Sequence, residues 1–216
     1  MRLEDNQPHA KRPTMGLVGG VAAACSAWCI AAALMALGPM PGARAQSDPA
    51  IAEFVARIDH SIRSIAAAPS DEQIRAICVS FIRLALNLDA MASAASAGTW
   101  DRMTPQQRAG YRTAFERRLA RDCIFQNRQY RGESLTVLGV RRGDGGDRLV
   151  ATQLGRPAQP GRLVIWRLRP GPDRKLRAVD ILLDGRSMVI SMSDEARSIL
   201  DRANGDIDAL LGSMGH

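Results

Sequence analysis

The sequence predicts an α+β fold in which an antiparallel sheet of about four strands packs against N-terminal and C-terminal helices. Three observations support this prediction. Apolar residues recur at three-to-four spacing from Ile51 through the first half of the chain, the period changes to two from Ser134, and helical spacing returns after Gly185. An order of helices, sheet and helices is typical of an α+β layer.

The first 45 residues resemble an export signal. Basic residues at positions 2, 11 and 12 precede an apolar stretch over residues 15–37, and Ala43-Arg44-Ala45 supplies the small residues that a signal peptidase recognises. We expect cleavage after Ala45, a periplasmic location, and a single domain over residues 46–216. A retained membrane anchor is the alternative, because roughly 20 apolar residues also span a bilayer.

The chain is basic, with 29 Lys and Arg against 22 Asp and Glu, and nearly all of the positive charge is arginine. These arginines are scattered and not interleaved with aromatic residues, which make up 4% of the chain. Export also removes nucleic acid as a partner, so we expect no nucleic-acid binding. A membrane surface or an anionic headgroup fits the charge better.

Two cysteines remain after processing, Cys78 and Cys123, separated by 45 residues. In an oxidising compartment they could form a disulfide worth about 4 kcal/mol. Each cysteine lies on the apolar side of a predicted helix, however, and we favour two buried free thiols. Neither His60 nor His216 has ligand spacing to a cysteine or a carboxylate pair, so we expect no metal and no cofactor.

Capping residues predict where the helices begin. Asp48-Pro49 resembles a cap followed by a first-turn proline, and Ser70 with Gln73 forms a capping-box pattern. An Ala/Ser-rich third helix is expected over residues 88–97 and ends at Gly98. Thr104-Pro105 opens the longest helix, on which Tyr111, Phe115, Leu119 and Cys123 lie four residues apart.

Turn residues separate the predicted strands, which cover 134–142, 147–154, 162–169 and 176–184. In the third strand Val164, Trp166 and Leu168 point to one face, and Leu163 and Ile165 to the other. Strict alternation in the fourth strand sets Val179, Ile181 and Leu183 against Leu176, Ala178 and Leu182. Either helices cover both faces or one face curves around an apolar cavity, and a filled core is the commoner outcome.

Catalytic patterns are weak. Asp180 lies among apolar residues and would suit a general base in an isomerase-like cavity, although pairing with a nearby arginine is the simpler interpretation. Gly185-Arg186-Ser187 begins like a nucleophile elbow, but position 189 is valine and only the terminal His216 follows. We assign no catalytic residue and expect a protein that is not an enzyme.

Two blocks of sequence carry a family resemblance. The first consists of Met103-Thr104-Pro105-Gln106-Gln107-Arg108 with Tyr111, Phe115 and Leu119, followed by Tyr130-Arg131-Gly132-Glu133. The second consists of Trp166-Arg167-Leu168-Arg169, Val179-Asp180, Asp184-Gly185-Arg186-Ser187-Met188, Ile199-Leu200 and Gly205-Asp206-Ile207-Asp208. Their order and spacing resemble the MlaC family, exported phospholipid-binding proteins of the Mla and toluene-tolerance transport systems that include hopanoid-associated members.

The resemblance implies a shuttle that holds lipid acyl chains in an apolar cavity between sheet and helices. Its implied partners are a phospholipid or other membrane lipid, an inner-membrane ABC transport complex and an outer-membrane lipoprotein complex. A hopanoid-associated transport accessory of the same family is one alternative, and a ketosteroid-isomerase-like enzyme using Asp180 is another. The residues expected to line the cavity are Tyr111, Phe115, Leu119, Val164, Trp166, Leu168, Val179, Ile181 and Met188.

Overall fold

The computed structural model describes residues 48–127, 132–156, 159 and 161–214. The expected export signal over residues 1–45 and the dipeptide Tyr130-Arg131 lie outside these ranges. The helices are α1 (Pro49–Ala67), α2 (Asp71–Ala85), α3 (Leu88–Ala95), α4 (Pro105–Asn127), α5 (Met188–Arg202) and α6 (Ile207–Ser213). The strands are β1 (Ser134–Arg142), β2 (Arg148–Gly155), β3 (Arg162–Pro170), β4 (Leu176–Leu183) and β5 (Arg186–Ser187).

Side-chain caps begin the helices where the sequence predicts. Asp48 accepts a hydrogen bond from the Ala50 amide at 3.0 Å, and Ser70 accepts one from the amide of Gln73 at 3.3 Å. Thr104 and Gln107 cap α4 reciprocally, because each side chain accepts from the other's backbone amide. Only α3 is shorter than expected, since it ends at Ala95. In the described part of the chain, no helix is long and apolar enough to cross a membrane.

The sheet is antiparallel and open, with the order β1-β2-β3-β4-β5. Its first four strands match the predicted ones to within a residue or so. The short β5 was not predicted. It follows a tight turn in which Asp184 and Gly185 have φ values of 50° and 83°, a conformation that favours an Asp-Gly pair.

The register between β3 and β4 shifts by one residue, which corrects the predicted faces of β4. Arg167 pairs with Asp180 whereas Leu168 pairs with Ala178, so Val179 is the extra residue of a bulge. Ala178 and Ile181 consequently lie on the same, core-facing side of the sheet instead of on opposite sides. Strict alternation fails here because a bulge moves every residue before it to the other face.

Cys78 and Cys123 form a disulfide that joins α2 to α4, with their Cα atoms 6.0 Å apart. The preference for free thiols was therefore wrong. Both residues were expected on apolar helix faces, and α2 and α4 pack against each other with those faces in contact. A position on an apolar face is thus compatible with a disulfide when the two faces meet.

The core lies between the helices and the face of the sheet that carries Val164, Trp166 and Leu168. Helix α1 buries Ile51, Phe54, Ile58, Ile62 and Ile65. The Phe54 ring packs edge-on against Trp166, with centroids 5.6 Å apart and planes at 70°. On the other face Leu163 is 38% exposed, so the two faces are not covered equally.

Candidate functional site

An apolar cavity of about 120 Å³ lies between the inner face of the sheet and helices α1, α2 and α4. Its walls include residues from the end of the sheet where β1 and β3 begin and β2 and β4 end. The lining residues are Ile58, Ser61, Ile62, Ile65, Phe81, Ile82, Leu86, Leu119, Asp122, Cys123, Leu135, Leu154, Arg162, Val164, Trp166, Ile181, Leu183 and Met188. The core is therefore incompletely filled, and the space left is bounded mainly by hydrocarbon.

Among the described lining residues, three are polar, namely Ser61, Asp122 and Arg162. The Ser61 hydroxyl is already engaged, because it donates to the Arg57 carbonyl at 3.0 Å. The side chains of Asp122 and Arg162 are 47% and 49% exposed, which places their charged groups at the solvent side of the cavity. The interior wall itself offers little hydrogen bonding.

The two charged lining residues have different surroundings. Arg162 donates from Nε to Asp184 at 2.8 Å across the β4–β5 turn. Burial raises the pKa of Asp122, while the guanidinium groups of Arg118 and Arg121 oppose that rise. Arg118 lies 3.9 Å from the Asp122 carboxylate and also pairs with Glu195 at 2.7 Å.

The structure brings five of the nine predicted lining residues to this cavity, and these are Leu119, Val164, Trp166, Ile181 and Met188. Leu168 is fully buried in the core. Val179, at the bulge, borders a separate groove formed with α3 and α5. Tyr111 and Phe115 border another groove, formed by α4, α5 and α6.

The four apolar residues spaced four apart on α4 do not all face the cavity, because the row winds around the helix and its N-terminal members point elsewhere. Residues four apart on a helix are offset by about 40°, so Tyr111 and Leu119 differ by about 80° in direction. Tyr111 instead donates its hydroxyl to the buried carbonyl of Ala95 at 2.8 Å, which ties α4 to the end of α3. Burial raises the pKa of Tyr111 to about 12, against the effect of Arg118.

Sequence reasoning missed the contribution of the N-terminal helices to the cavity. The additional apolar lining residues are Ile58, Ile62, Ile65, Phe81, Ile82, Leu86, Leu135, Leu154 and Leu183. The isoleucine stripe of α1 was visible as a helix pattern, but core and cavity residues have the same periodicity. No signal in the sequence separates the two.

Asp180 is held by the start of α5 and does not line the apolar cavity. Its carboxylate accepts from the Ser187 hydroxyl at 2.6 Å and from the Val189 amide at 3.2 Å. These partners replace the arginine that was expected. Ser187 in turn caps α5 by accepting from the Ile190 amide at 3.0 Å. The turn Asp184-Gly185-Arg186-Ser187 therefore has a structural role.

The fold and the site define a class of protein: a small α+β domain whose sheet and helices enclose an apolar cavity. The family described as MlaC protein matches residues 53–215, and the chain belongs to this family. A solved structure with a similar fold is a phospholipid-binding protein from Ralstonia solanacearum in complex with a phospholipid. It is 14% identical, with a TM-score of 0.64, covering 75% of this chain and 94% of that one. No curated protein matches the sequence significantly.

Proposed function

We propose that this protein is a periplasmic shuttle that carries phospholipid between inner- and outer-membrane transport complexes, with the acyl chains enclosed in the apolar cavity. The observation that carries the proposal is the cavity itself, whose wall is almost entirely hydrocarbon. Membership of the MlaC family and the phospholipid bound by the Ralstonia protein of the same fold support it.

Burial of hydrocarbon supplies the binding free energy. Two acyl chains hold on the order of 30 methylenes, and each contributes about 0.8 kcal/mol on leaving water, which gives more than 20 kcal/mol gross. A protein cavity that offers a comparable apolar environment therefore competes with a bilayer. Because no covalent step is involved, the lipid leaves the cavity unchanged.

The cavity must widen to admit two chains. Its volume of about 120 Å³ is close to that of an engineered cavity of about 150 Å³ that holds a single benzene. The walls belong to separate elements, with α1, α2 and α4 on one side and the sheet on the other. Movement of these helices away from the sheet enlarges the space without breaking the strand pairing, and the acyl chains replace the lost contacts.

The disulfide fits an exported protein. Structural disulfides persist in oxidising compartments such as the periplasm and are rare in the cytosol. The N-terminal segment with its basic, apolar and small-residue regions supports the same location.

Lipid analysis and vesicle transfer test the proposal together. Protein purified from the periplasm of an expression host is extracted with organic solvent, and the extract is examined by mass spectrometry. We expect phospholipid at close to one molecule per protein, and we expect the protein to speed transfer of a labelled phospholipid from donor to acceptor vesicles. Absence of both extractable and exchangeable lipid would contradict the proposal. Lipid of polycyclic rather than diacyl structure would favour the hopanoid-associated alternative.

A further inference from the structure

Arg162 is the one basic side chain that lines the apolar cavity within the described residues. It is the first residue of β3, and it pairs with Leu154 near the end of β2. Its side chain is 49% exposed, so the guanidinium lies where the cavity meets solvent. If the acyl chains of a lipid fill the cavity, its polar headgroup lies at the solvent side. The guanidinium of Arg162 is at the same position.

The guanidinium of Arg162 is held in place but is not saturated. Its Nε donates to Asp184 at 2.8 Å, and Asp184 occupies the tight turn between β4 and β5. The two terminal amino groups make no hydrogen bond or ion pair to a described residue. A guanidinium has five N–H donors in a fixed plane, and two parallel N–H groups on the terminal nitrogens match two oxygens of a phosphate.

The negative charge on the helical wall of the cavity does not neutralise Arg162. Asp122 on α4 is the other charged residue in the described part of the wall, and its carboxylate lies 3.9 Å from Arg118. Arg121 also acts on it electrostatically. Asp122 is thus surrounded by cations of its own helix. Arg162 on the sheet has one carboxylate partner among the described residues, Asp184, which is 58% exposed.

We propose that Arg162 binds the phosphate of the lipid headgroup when the acyl chains occupy the cavity. This inference rests on the proposed function and adds to it a specific contact and a ligand class, lipids that carry a phosphate next to the glycerol. Free phosphate has the same chemistry but lacks the apolar chains. A half-exposed arginine alone binds such an ion weakly, because the pair is screened by solvent.

The experiment compares phosphatidylcholine with diacylglycerol of identical acyl chains, because the two differ only in the phosphocholine headgroup, which carries the phosphate. Binding to the delipidated mature protein is measured for the wild type, Arg162→Gln and Arg142→Gln. Arg142 is the matched control, since it is exposed and lies at the opposite end of the sheet, where β1 pairs with Arg148. Inorganic phosphate is added as a competitor in a separate arm.

We expect the wild type to bind phosphatidylcholine about five- to tenfold more tightly than diacylglycerol, as a charge-assisted contact at a half-exposed site provides. Arg162→Gln should lose this preference while binding diacylglycerol as the wild type does, which also reports that the variant is folded. Arg142→Gln should keep the preference. Inorganic phosphate at about 10 mM, well below the physiological ionic strength of about 0.15 M, should not displace either lipid.

Three results would overturn the inference alone. In the first, Arg162→Gln keeps the preference for phosphatidylcholine. In the second, it weakens the binding of both lipids equally, which indicates only a structural role for Arg162. In the third, inorganic phosphate competes with phosphatidylcholine, which identifies a site for the free anion. A wild-type protein that binds neither lipid would instead contradict the proposed function, and the inference would fail with it.

Discussion

The indole Nε1 of Trp166 donates a hydrogen bond to Thr152 Oγ1 at 3.0 Å, behind the wall of the cavity. Thr152 is fully buried, and its hydroxyl donates a hydrogen bond to the Val164 carbonyl at 3.0 Å. The single polar atom of the largest lining side chain is thereby satisfied within the sheet. Trp166 can then line the cavity with hydrocarbon, without a donor that would need a partner from the ligand.

Replacing Thr152 by valine should destabilise the protein by about 1–3 kcal/mol, because the buried indole N–H loses its acceptor while the side-chain volume is kept. Urea denaturation followed by tryptophan fluorescence measures the change in the free energy of unfolding. Thr136→Val is the matched control, since Thr136 is exposed on β1, and it should change stability by no more than about 0.5 kcal/mol. Equal losses in the two variants would refute the role of the Trp166 hydrogen bond.

Tyr111→Phe should lower stability by about 1–2 kcal/mol and leave lipid binding unchanged. The change removes the hydroxyl that donates to the buried Ala95 carbonyl and leaves that acceptor unpaired. Lipid binding should persist because Tyr111 borders the groove between α4, α5 and α6 and not the apolar cavity. Thermal unfolding and a lipid titration on the same sample check both parts, and a selective loss of lipid affinity would return Tyr111 to the binding site.

Removal of the disulfide by the double change Cys78→Ala and Cys123→Ala should lower the free energy of unfolding by about 4 kcal/mol. The bond closes a loop between residues 45 apart in sequence, and its absence restores chain entropy to the unfolded state. Chemical denaturation of the oxidised wild type, the reduced wild type and the double variant provides the measurement. The reduced wild type should match the variant. A stability unaffected by reduction would show that the bond does not contribute in this way.

Asp147 should make stability depend on acidity. This buried carboxylate accepts from Arg169 and Arg167 at 2.7 and 2.6 Å, and these hydrogen bonds hold its pKa below the usual value, against the opposing effect of burial. The contribution is therefore present above the unfolded-state pKa of about 4 and is lost as the pH falls through the lower folded-state pKa.

Asp147→Asn should cost about 2 kcal/mol at pH 7, and the difference from the wild type should shrink below about pH 4. Denaturation midpoints between pH 2.5 and 7 give the comparison. Asp144→Asn is the control, because Asp144 lies in the same loop and is exposed. A wild-type advantage that persists unchanged at pH 2.5 would exclude ionised Asp147 as its source.

Most of the architecture could be predicted because its signals are local. The side chains of Asp48, Ser70 and Thr104 cap their helices by accepting from backbone amides two or three residues further on. Alternating apolar residues, bounded by turn residues, predicted the positions of four strands. Period two alone predicted that Val164, Trp166 and Leu168 share one face of the sheet, and the structure shows that this face is the inner one. These features depend on a few adjacent residues and not on the tertiary arrangement.

Features that depend on packing between elements could not be predicted in this way. The bulge at Val179 changes which residues of β4 share a face, and the meeting of α2 and α4 turns two apolar-face cysteines into a disulfide. The drift of the α4 stripe separates Tyr111 from Leu119, although both fit one pattern. Core and cavity residues are equally apolar, so only the assembled structure shows that Ile58 and Ile62 border empty space.

The most direct measurement of the central claim is lipid occupancy, determined by native mass spectrometry, in two leucine-to-tryptophan variants of the sheet. Leu183 lines the cavity, whereas Leu163 points to the opposite face and is 38% exposed. Filling the cavity with an indole at Leu183→Trp should leave most molecules without lipid, while Leu163→Trp should carry lipid as the wild type does. Equal occupancy in the two folded variants would contradict an enclosed lipid in this cavity.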